Sequence, residues 1–371
     1  MTHPRLTPLA QTLPASVPFV GPEAQERSRG APFTARLGAN ENGFGPSPAA
    51  LEAIRSHAHE AWMYGEPESH DLRSALAAHH ACSLGNIVVG EGIDGLLGYL
   101  VRLCVTHGDA VVTSDGAYPT FNYHVAGFGG SLHKVPYADD HEDPEALLAK
   151  AHETDAKLIY LANPDNPMGT WHGAAVIEDM AACLPEGCLL VLDEAYIDLA
   201  PDAAVPAIAA DHPGVIRMRT FSKGYGLAGM RVGYALGAAK LITAFEKIRN
   251  HFGMNRIAQI AALAALEDQA GLRNIKAQVE QARRRITEIA AAHGLAALPS
   301  ATNFVTIDCG RDGDFARAVL GGLIEAGIFV RMPFVAPQDR CIRVSCGPQV
   351  ELEAFAHALP TALHAAHEKF T

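Results

Sequence analysis

The sequence predicts an α/β protein with a large domain built on a mostly parallel β-sheet flanked by helices, and a smaller α+β domain at the C-terminal end. Three observations support this fold class. From about residue 48 to residue 238, short apolar segments alternate with helical patterns. Most of these segments are largely apolar, as are strands of a parallel sheet covered on both faces. After residue 238, long helical patterns dominate, with two further strand-like segments among them.

Each element is predicted from its own periodicity. In the first part of the chain, helices are predicted over 48–58, 69–82, 94–106, 119–128, 144–152 and 174–183. The apolar segments between them predict strands at Ile87–Val89, Ala110–Thr113, Leu158–Ala162, Leu189–Leu192, Val215–Thr220 and Val232–Leu236. Farther along, helices are predicted near 239–250, 255–267, 271–292, 313–326 and 350–368, and strands at Phe304–Asp308 and Ile342–Ser345.

The domain organisation follows from the order of these elements. Residues 1–35 are rich in proline and weakly periodic, which is typical of an extended arm rather than a domain. Residues 36–270 are predicted to form the large domain. Residues 271–371 are predicted to form the small domain, which begins with the long helix. A chain of 371 residues is long enough for two such domains to have apolar cores.

Composition narrows the class of function. Apolar residues make up 49% of the chain and charged residues 19%, a balance typical of globular proteins. The formal charge of -12 provides no basic footprint for nucleic acid. We expect no signal peptide, no membrane span and a cytoplasmic location. The seven cysteines include no C-x-x-C pair and the 18 histidines no H-E-x-x-H motif, so we expect reduced thiols and no metal site.

Two segments place charged side chains at the ends of predicted strands. The strand at Leu189–Leu192 is followed directly by Asp193. The strand at Val215–Thr220 is followed by Ser222, Lys223 and several glycines, with Arg231 a little farther on. Ligands of open α/β sheets bind just outside the carboxyl ends of the strands. A lysine there can form a Schiff base with an aldehyde, and an arginine can bind phosphate oxygens.

Two further segments have the same position. Asn166 follows the strand at Leu158–Ala162 in a turn fixed by two prolines. A glycine-rich turn around Gly92 precedes the helix near 94, and helix N-termini bind anions through free N–H groups. Together, the four segments provide groups for an aldehyde, a phosphate and a protonated ring nitrogen. Those are the groups through which proteins hold pyridoxal phosphate.

With these motifs, the chain resembles the fold-type I pyridoxal-phosphate aminotransferases of class I/II. Within that group it is most similar to the histidinol-phosphate aminotransferases. The resemblance runs from Ala39 to the final helix and rests on D-E-A-Y at 193–196 and S-K-x-x-x-L-A-G-x-R at 222–231. The stretch at 38–48 and C-I-R-V-S-C-G at 341–347 add to it. It implies a mostly parallel seven-stranded sheet, pyridoxal phosphate as cofactor and a homodimer with shared active sites.

The resemblance also implies a role for each catalytic and cofactor-binding residue. Lys223 forms the Schiff base and shuttles the proton between the substrate α-carbon and the cofactor. Asp193 pairs with the ring nitrogen, Tyr196 and Asn166 hydrogen-bond the ring 3-oxygen, and Tyr118 stacks on the ring. The residues that bind the cofactor phosphate are Gly92, Ile93, Asp94, Ser222, Arg231 and, from a second subunit, Tyr64.

The substrate end is implied by the same resemblance. Arg343 binds the substrate carboxylate or its equivalent, and Arg331 reaches a distal anionic group with Asn303 nearby. Asn42 and Phe19 complete the predicted substrate-binding set. The family's usual P-N-N-P-T-G is P-D-N-P-M-G at 164–169, which introduces Asp165 and Met168. Where the family carries a tyrosine that contacts the substrate phosphate, this chain has Phe19.

The function predicted on this basis is transfer of an amino group between histidinol phosphate, or a related amino acid, and a 2-oxo acid such as 2-oxoglutarate. Because Phe19 lacks the hydroxyl, an aromatic amino acid is the alternative donor. A decarboxylase of a phosphorylated amino acid would use the same cofactor machinery and is a second alternative. A non-catalytic ligand-binding protein on this scaffold is the third. A small-molecule amino donor and a 2-oxo acid are therefore the expected partners.

Overall fold

The computed structural model describes residues 4–15 and 20–370. Its strands, numbered along the chain, are β1 Ala35–Arg36, β2 Ile87–Gly90, β3 Ala110–Ser114, β4 Ser131–Val135, β5 Leu158–Ala162, β6 Leu189–Asp193, β7 Val215–Thr220, β8 Gly233–Leu236, β9 Ala296–Ala297, β10 Phe304–Asp308, β11 Ile328–Phe329 and β12 Cys341–Ser345.

The α-helices are α1 Pro8–Thr12, α2 Pro22–Arg29, α3 Pro48–His57, α4 His70–His79, α5 Gly92–Cys104, α6 Pro119–Gly127, α7 Pro144–Thr154, α8 Ala174–Ala182, α9 Ala239–Phe245, α10 Arg256–Glu267, α11 Gln269–Ala292, α12 Gly313–Glu325 and α13 Gln349–Lys369. Several begin at a residue whose side chain accepts a hydrogen bond from a backbone N–H of the first turn, for example Ser47 before α3 and Asp143 before α7. Such caps satisfy donors that the helix itself leaves free.

The large sheet has seven strands in the described residues, in the order β2-β8-β7-β6-β5-β3-β4. Strand β8 runs antiparallel to both of its neighbours, and the other pairs are parallel. The carboxyl ends of β5, β6 and β7 therefore lie side by side at one edge. The predicted fold class, a mostly parallel seven-stranded sheet flanked by helices with a C-terminal α+β part, is confirmed.

Alternate residues of each central strand face opposite layers of helices. Tyr160 and Val191 pack with α5 and α6 on one face. Ile159 and Leu190 pack with α7 and α8 on the other. Because both faces are covered, β5 is apolar at every position and β6 at every position before Asp193, which is why these segments stand out in the sequence.

The C-terminal part has a three-stranded antiparallel sheet, β12-β10-β9, packed with α11, α12 and α13. Strand β1 pairs in parallel with β11, and Ala35 and Leu37 lie in the apolar core of this part. Residues just after the predicted arm thus pack with the C-terminal helices rather than with the large sheet. The boundaries 1–35, 36–270 and 271–371 stay a prediction.

Some elements differ from those predicted by the sequence. Strand β4 was not predicted because it lies at the sheet edge, where four of its five residues are at least partly exposed. The arm contains α1 and α2, each begun by a proline, and α9 ends at Phe245 rather than near residue 250. Among the described residues, no helix combines the length and the apolar character needed to cross a membrane.

Candidate active site

A cavity of about 570 Å³ lies at the carboxyl ends of β5, β6 and β7, between the large sheet and the C-terminal part. This volume lies within the range of small-molecule binding pockets. Eleven residues of the predicted site line it, namely Ile93, Asp94, Tyr118, Asn166, Asp193, Tyr196, Ser222, Lys223, Arg231, Arg331 and Arg343. The structure therefore brings together groups that are separated by up to 250 positions in the chain.

Asp193 is the last residue of β6 and is 4% exposed. Tyr160 donates its hydroxyl hydrogen to Oδ2 at 2.6 Å, and the backbone N–H of Ala195 donates to Oδ1 at 2.9 Å. Burial raises the pKa of this carboxyl to about 6, while the two hydrogen bonds lower it. No cationic side chain of the described residues lies within ion-pair distance of Asp193. A ligand cation is the natural counter-charge for it.

Lys223 follows β7 and projects its amine into the cavity. Its Nζ donates a hydrogen bond to the backbone oxygen of Asn40 at 2.9 Å and lies 5.5 Å from the centre of the Tyr196 ring. Burial lowers the pKa of the amine to about 8, with a further contribution from the positive charge of Arg343. A neutral amine, which is the nucleophilic form, is thus accessible near neutral pH.

Two tyrosines line the same cavity. The hydroxyl of Tyr196 accepts a hydrogen bond from Asn40 Nδ2 at 3.1 Å, and burial raises its pKa to about 12. Tyr118, which precedes α6, donates to Asp94 Oδ1 at 2.9 Å, and burial raises the pKa of its phenol. Both hydroxyls are therefore protonated at neutral pH and able to donate.

The N-terminus of α5 and the loop after β7 meet at one end of the cavity. Gly92 has a φ of +80°, and a Cβ there would lie 2.5 Å from Nη2 of Arg231. Arg231 adopts a left-handed φ of 54° and lies 3.7 Å from Asp94. Thr220 Oγ1 lies 2.9 Å from Ser222 Oγ. Helix N–H groups, a hydroxyl and a guanidinium around one space form an anion site.

The C-terminal part contributes the residues at the other end of the cavity. Arg343, on β12, donates a short hydrogen bond to Asn166 Oδ1 and lies 5.1 Å above the Phe304 ring. Burial lowers the pKa of Arg343 to about 10. Arg331 pairs with Arg343 through the backbone and donates through Nη2 to the carbonyl oxygen of Val20 at 2.7 Å. Burial lowers the pKa of Arg331 as well. Two desolvated cations therefore face this end.

Asn42 and Asn303 lie outside the lining of the cavity, behind the segment that contains Asn40. Asn42 Nδ2 donates to the backbone oxygen of Lys223 at 3.1 Å. Asn303 Nδ2 donates to the backbone oxygens of Asn40 and Glu41 at 3.0 and 3.1 Å. In the structure both residues hold the wall of the site, and their contact with substrate stays a prediction.

Besides Asn42 and Asn303, two more predicted residues that the structure describes, Tyr64 and Gly92, do not line the cavity of this chain. Tyr64 is 79% exposed, and its ring lies 5.0 Å from that of Phe252, away from the lining residues. This position is consistent with the prediction that it acts in a second subunit. Phe19 lies outside the described residues, so its predicted contact with substrate stays a prediction. Gly92 shapes the anion end through its backbone rather than lining the cavity.

Sequence reasoning missed two residues of the site. Asn40 adopts a left-handed φ of 54° and contacts Lys223, Tyr196 and Ser345. An asparagine flanked by glycine-rich sequence is a signal for such a conformation. Tyr160 gave no signal, because its hydroxyl is hidden within an apolar strand segment.

Comparison with known proteins agrees with this geometry. A profile of the family aminotransferase class I and II matches residues 34–359. The histidinol-phosphate aminotransferase of Moorella thermoacetica is 31% identical over 362 residues, which cover 96% of this chain and 93% of that relative. The histidinol-phosphate aminotransferase of an Anaeromyxobacter species is 34% identical over 367 residues, which cover 98% of this chain and all of that relative.

A solved structure from the same family is also similar to this chain. The histidinol-phosphate aminotransferase from Sinorhizobium meliloti, in complex with pyridoxal-5'-phosphate, is 56% identical to this chain. The two superpose with a TM-score of 0.95 over 98% of each chain. The family predicted from the D-E-A-Y and S-K-x-x-x-L-A-G-x-R motifs is confirmed: this chain belongs to the aminotransferase class I and II family.

Proposed function

We propose that this protein is a pyridoxal-phosphate aminotransferase that transfers the amino group of histidinol phosphate to a 2-oxo acid such as 2-oxoglutarate. The observation that carries the proposal is the buried amine of Lys223, which shares one cavity with the Asp193 carboxylate and the Arg231 guanidinium. The naming of relatives as histidinol-phosphate aminotransferases supports the choice of donor.

The residues present fit the cofactor. Asp193 is a buried carboxylate without a cationic partner among the described residues, and a protonated ring nitrogen would supply that partner. The anion end at Ile93, Ser222 and Arg231 provides hydrogen-bond donors for a phosphate. When bound, pyridoxal phosphate supplies an aldehyde that condenses with amines and a ring that withdraws electrons from the substrate α-carbon.

Lys223 acts both as nucleophile and as base. Its amine must be neutral to attack the aldehyde, and burial favours the neutral form by lowering the pKa to about 8. In the loaded enzyme, Nζ would take the proton from the substrate α-carbon and deliver it to the former aldehyde carbon of the cofactor, on the other side of the transferred nitrogen. The backbone oxygen of Asn40, 2.9 Å from Nζ, orients the amine for this transfer.

Arg331 and Arg343 orient the substrate. Both guanidiniums face the cavity at the end opposite the anion site of Arg231. A buried guanidinium binds a carboxylate or a phosphate with two parallel hydrogen bonds. The same pair can therefore receive either the phosphate of histidinol phosphate or a carboxylate of glutamate, as the two halves of a transamination require.

A homodimer is part of the proposal. Trp62 and Tyr64 are 82% and 79% exposed, and Phe252 beside them is 54% exposed. A cluster of exposed aromatic side chains is typical of a surface that is covered in the assembly. We propose that Tyr64 reaches the phosphate end of the partner subunit. A cytoplasmic location is the remaining proposal, consistent with the seven free cysteines.

The test is a half-reaction screen on the loaded protein. Each amino donor is mixed alone with the protein, and the visible absorbance of the bound cofactor is followed. We expect fast loss of this absorbance with histidinol phosphate and with glutamate, and little with phenylalanine. Fast conversion by phenylalanine and none by histidinol phosphate would establish the aromatic alternative. Release of carbon dioxide without formation of a keto product would establish the decarboxylase.

A further inference from the structure

Behind the cavity wall, next to Asn166, lie two carboxyl groups that the proposed reaction does not use. Asp165 belongs to the turn after β5, and Glu142 precedes the N-cap of α7. Each residue is 2% exposed. Burying two carboxyl groups side by side is costly unless donors and protons compensate for the charge.

Donors surround all four carboxyl oxygens. Ser114 Oγ and the backbone N–H of Ala162 donate to Glu142 at 2.6 and 2.8 Å. Tyr137 OH and the backbone N–H of Met168 donate to Asp165, each at 2.9 Å. No described lysine, arginine or histidine lies within ion-pair distance of either carboxyl. The hydrogen bonds that offset the burial of the two carboxyl groups therefore all come from neutral donors.

The two buried carboxyls also interact electrostatically with one another. With no cation at ion-pair distance, two negative charges buried together are costly, which favours a proton on one of the two. Burial raises the pKa of Glu142 well above its usual range and that of Asp165 to about 6. The proton therefore resides on Glu142 at neutral pH, and Asp165 holds the single negative charge.

This charge faces the substrate end of the cavity. Asp165 is adjacent in sequence to Asn166, which accepts the hydrogen bond from Arg343. Asp165 and Arg343 interact electrostatically in both directions: the guanidinium lowers the pKa of Asp165, and the carboxylate raises that of Arg343. The turn at 163–169 therefore carries a negative charge behind Arg343, the residue that is proposed to bind a substrate anion.

The remaining ionisable groups that face the pair come from several elements. They are Tyr137 after β4, Tyr160 on β5, His172 before α8, Asp193 on β6 and Arg343 on β12, and Tyr137 in turn faces Asp115 after β3. Of these, Arg343 is the one cation directed at Asp165, and Asp193 adds negative potential at Glu142. His172 contacts the backbone oxygen of Glu142 rather than its carboxyl.

We propose that Glu142 and Asp165 form a one-proton acid pair that positions the Asn166 turn and attenuates the affinity of Arg343 for substrate carboxylate. This inference rests on the proposed function, because it assumes that Arg343 binds the carboxylate. Asp165 offsets part of the positive potential of Arg343, which favours release of the product acid. Loss of the Glu142 proton at alkaline pH adds a second negative charge and weakens carboxylate binding further.

The test compares Glu142→Gln, Asp165→Asn and, as a matched control, Asp179→Asn on the exposed face of α8, all as loaded protein. Calorimetry measures the Kd of succinate as carboxylate probe, and steady-state kinetics measures KM and kcat. Removal of one charge next to Arg343 makes the Asp165→Asn Kd and the KM for 2-oxoglutarate fall by about tenfold, while kcat stays within about twofold. Asp179→Asn stays at the wild-type values.

Glu142→Gln keeps a neutral donor toward Asp165 and serves as the conservative variant. We expect its Kd at pH 7 to equal that of the wild type within about twofold. We expect the Kd of the wild type to rise at alkaline pH and that of Glu142→Gln to rise less. Infrared spectroscopy provides a readout independent of activity: a protonated carboxyl band is present in the wild type and absent in Glu142→Gln.

The proposal is overturned if Asp165→Asn leaves Kd and KM unchanged, or if Glu142→Gln retains both the carboxyl band and the full alkaline rise. A parallel fall of kcat and stability without a change in Kd would reduce the pair to a structural role and also overturn it. Failure of the proposed function gives a different result: the wild type would then show no half-reaction with histidinol phosphate, whereas the effect of Asp165→Asn on the Kd of succinate does not depend on the donor.

Discussion

The two ends of the cavity hold their charged groups in different ways. At the edge of the large sheet, Asp193 is fixed by a strand end and by donors from Tyr160 and Ala195. At the opposite end, Arg343 is fixed through backbone pairing with Arg331 and a contact with Asn166. Arg343 forms no ion pair with a carboxylate of the described residues.

This difference places the reacting groups at one end of the cavity and the substrate-binding groups at the other. The sheet edge sets the protonation of its groups through burial: the pKa of Lys223 falls to about 8 and that of Asp193 rises to about 6. At the arginine end, Arg343 is a desolvated positive charge without an ion pair among the described residues, which is costly until an anion binds. Changes at the sheet edge should therefore affect kcat, and changes at the arginine end should affect KM.

The largest effect is expected from Lys223→Ala. It removes the nucleophile and the base at once, so kcat should fall by more than about 10⁴-fold. The visible absorbance of the loaded protein should no longer respond to added glutamate in a single turnover. Steady-state rates and stopped-flow absorbance provide the measurement. Lys247 is exposed and follows α9, so Lys247→Ala is the control and should retain full activity.

Asp193→Asn should have the next largest effect. The amide has the same shape and keeps the contacts to Tyr160 and Ala195, but it carries no charge to balance the ring nitrogen. We expect kcat to fall by about 10²- to 10³-fold with little change in KM, as for the loss of one preorganised electrostatic group. Asp202→Asn, exposed after β6, is the matched control. A rise in KM at unchanged kcat would contradict a role at the chemical step.

Arg343→Gln tests the other end. Loss of a two-point charge-assisted bond should raise the KM for 2-oxoglutarate by about 100-fold, with a much smaller change in kcat. Arg343→Lys should recover only part of the affinity, because an ammonium cannot form the paired bonds. Arg55→Gln, on the exposed face of α3, is the control. If kcat fell as far as in Asp193→Asn, the separation of the two ends would be wrong.

The same contrast explains what the sequence predicts well. Asp193, Ser222 and Lys223 directly follow apolar strand segments, and such segments are recognisable because both faces of the sheet are covered. Once the strands are parallel neighbours, their carboxyl ends must meet. The chemical end of the cavity therefore follows from local patterns, as does the fold of the central sheet.

The recognition end depends on contacts that local patterns do not encode. Asn40 reaches Lys223 across 183 positions, and Asn303 holds the Asn40 segment across 263. The resemblance implies that Asn303 is a substrate-binding residue, which stays a prediction; its contacts in the structure are to the backbone of the cavity wall. Edge strand β4 was missed for a related reason, because an exposed strand keeps polar residues and loses the apolar signal.

The smallest expected effect concerns electrostatic coupling between the two ends. Capture of added pyridoxal phosphate by cofactor-free protein requires neutral Lys223, so its rate should rise about tenfold per pH unit and level off above pH about 8. Because Arg343 lowers the pKa of this amine, Arg343→Gln should move the midpoint of the pH profile to higher pH. Stopped-flow absorbance measures the profile. With Arg55→Gln the midpoint should stay in place. An unchanged midpoint in Arg343→Gln would show that burial alone sets the protonation of Lys223 and that the two ends act independently.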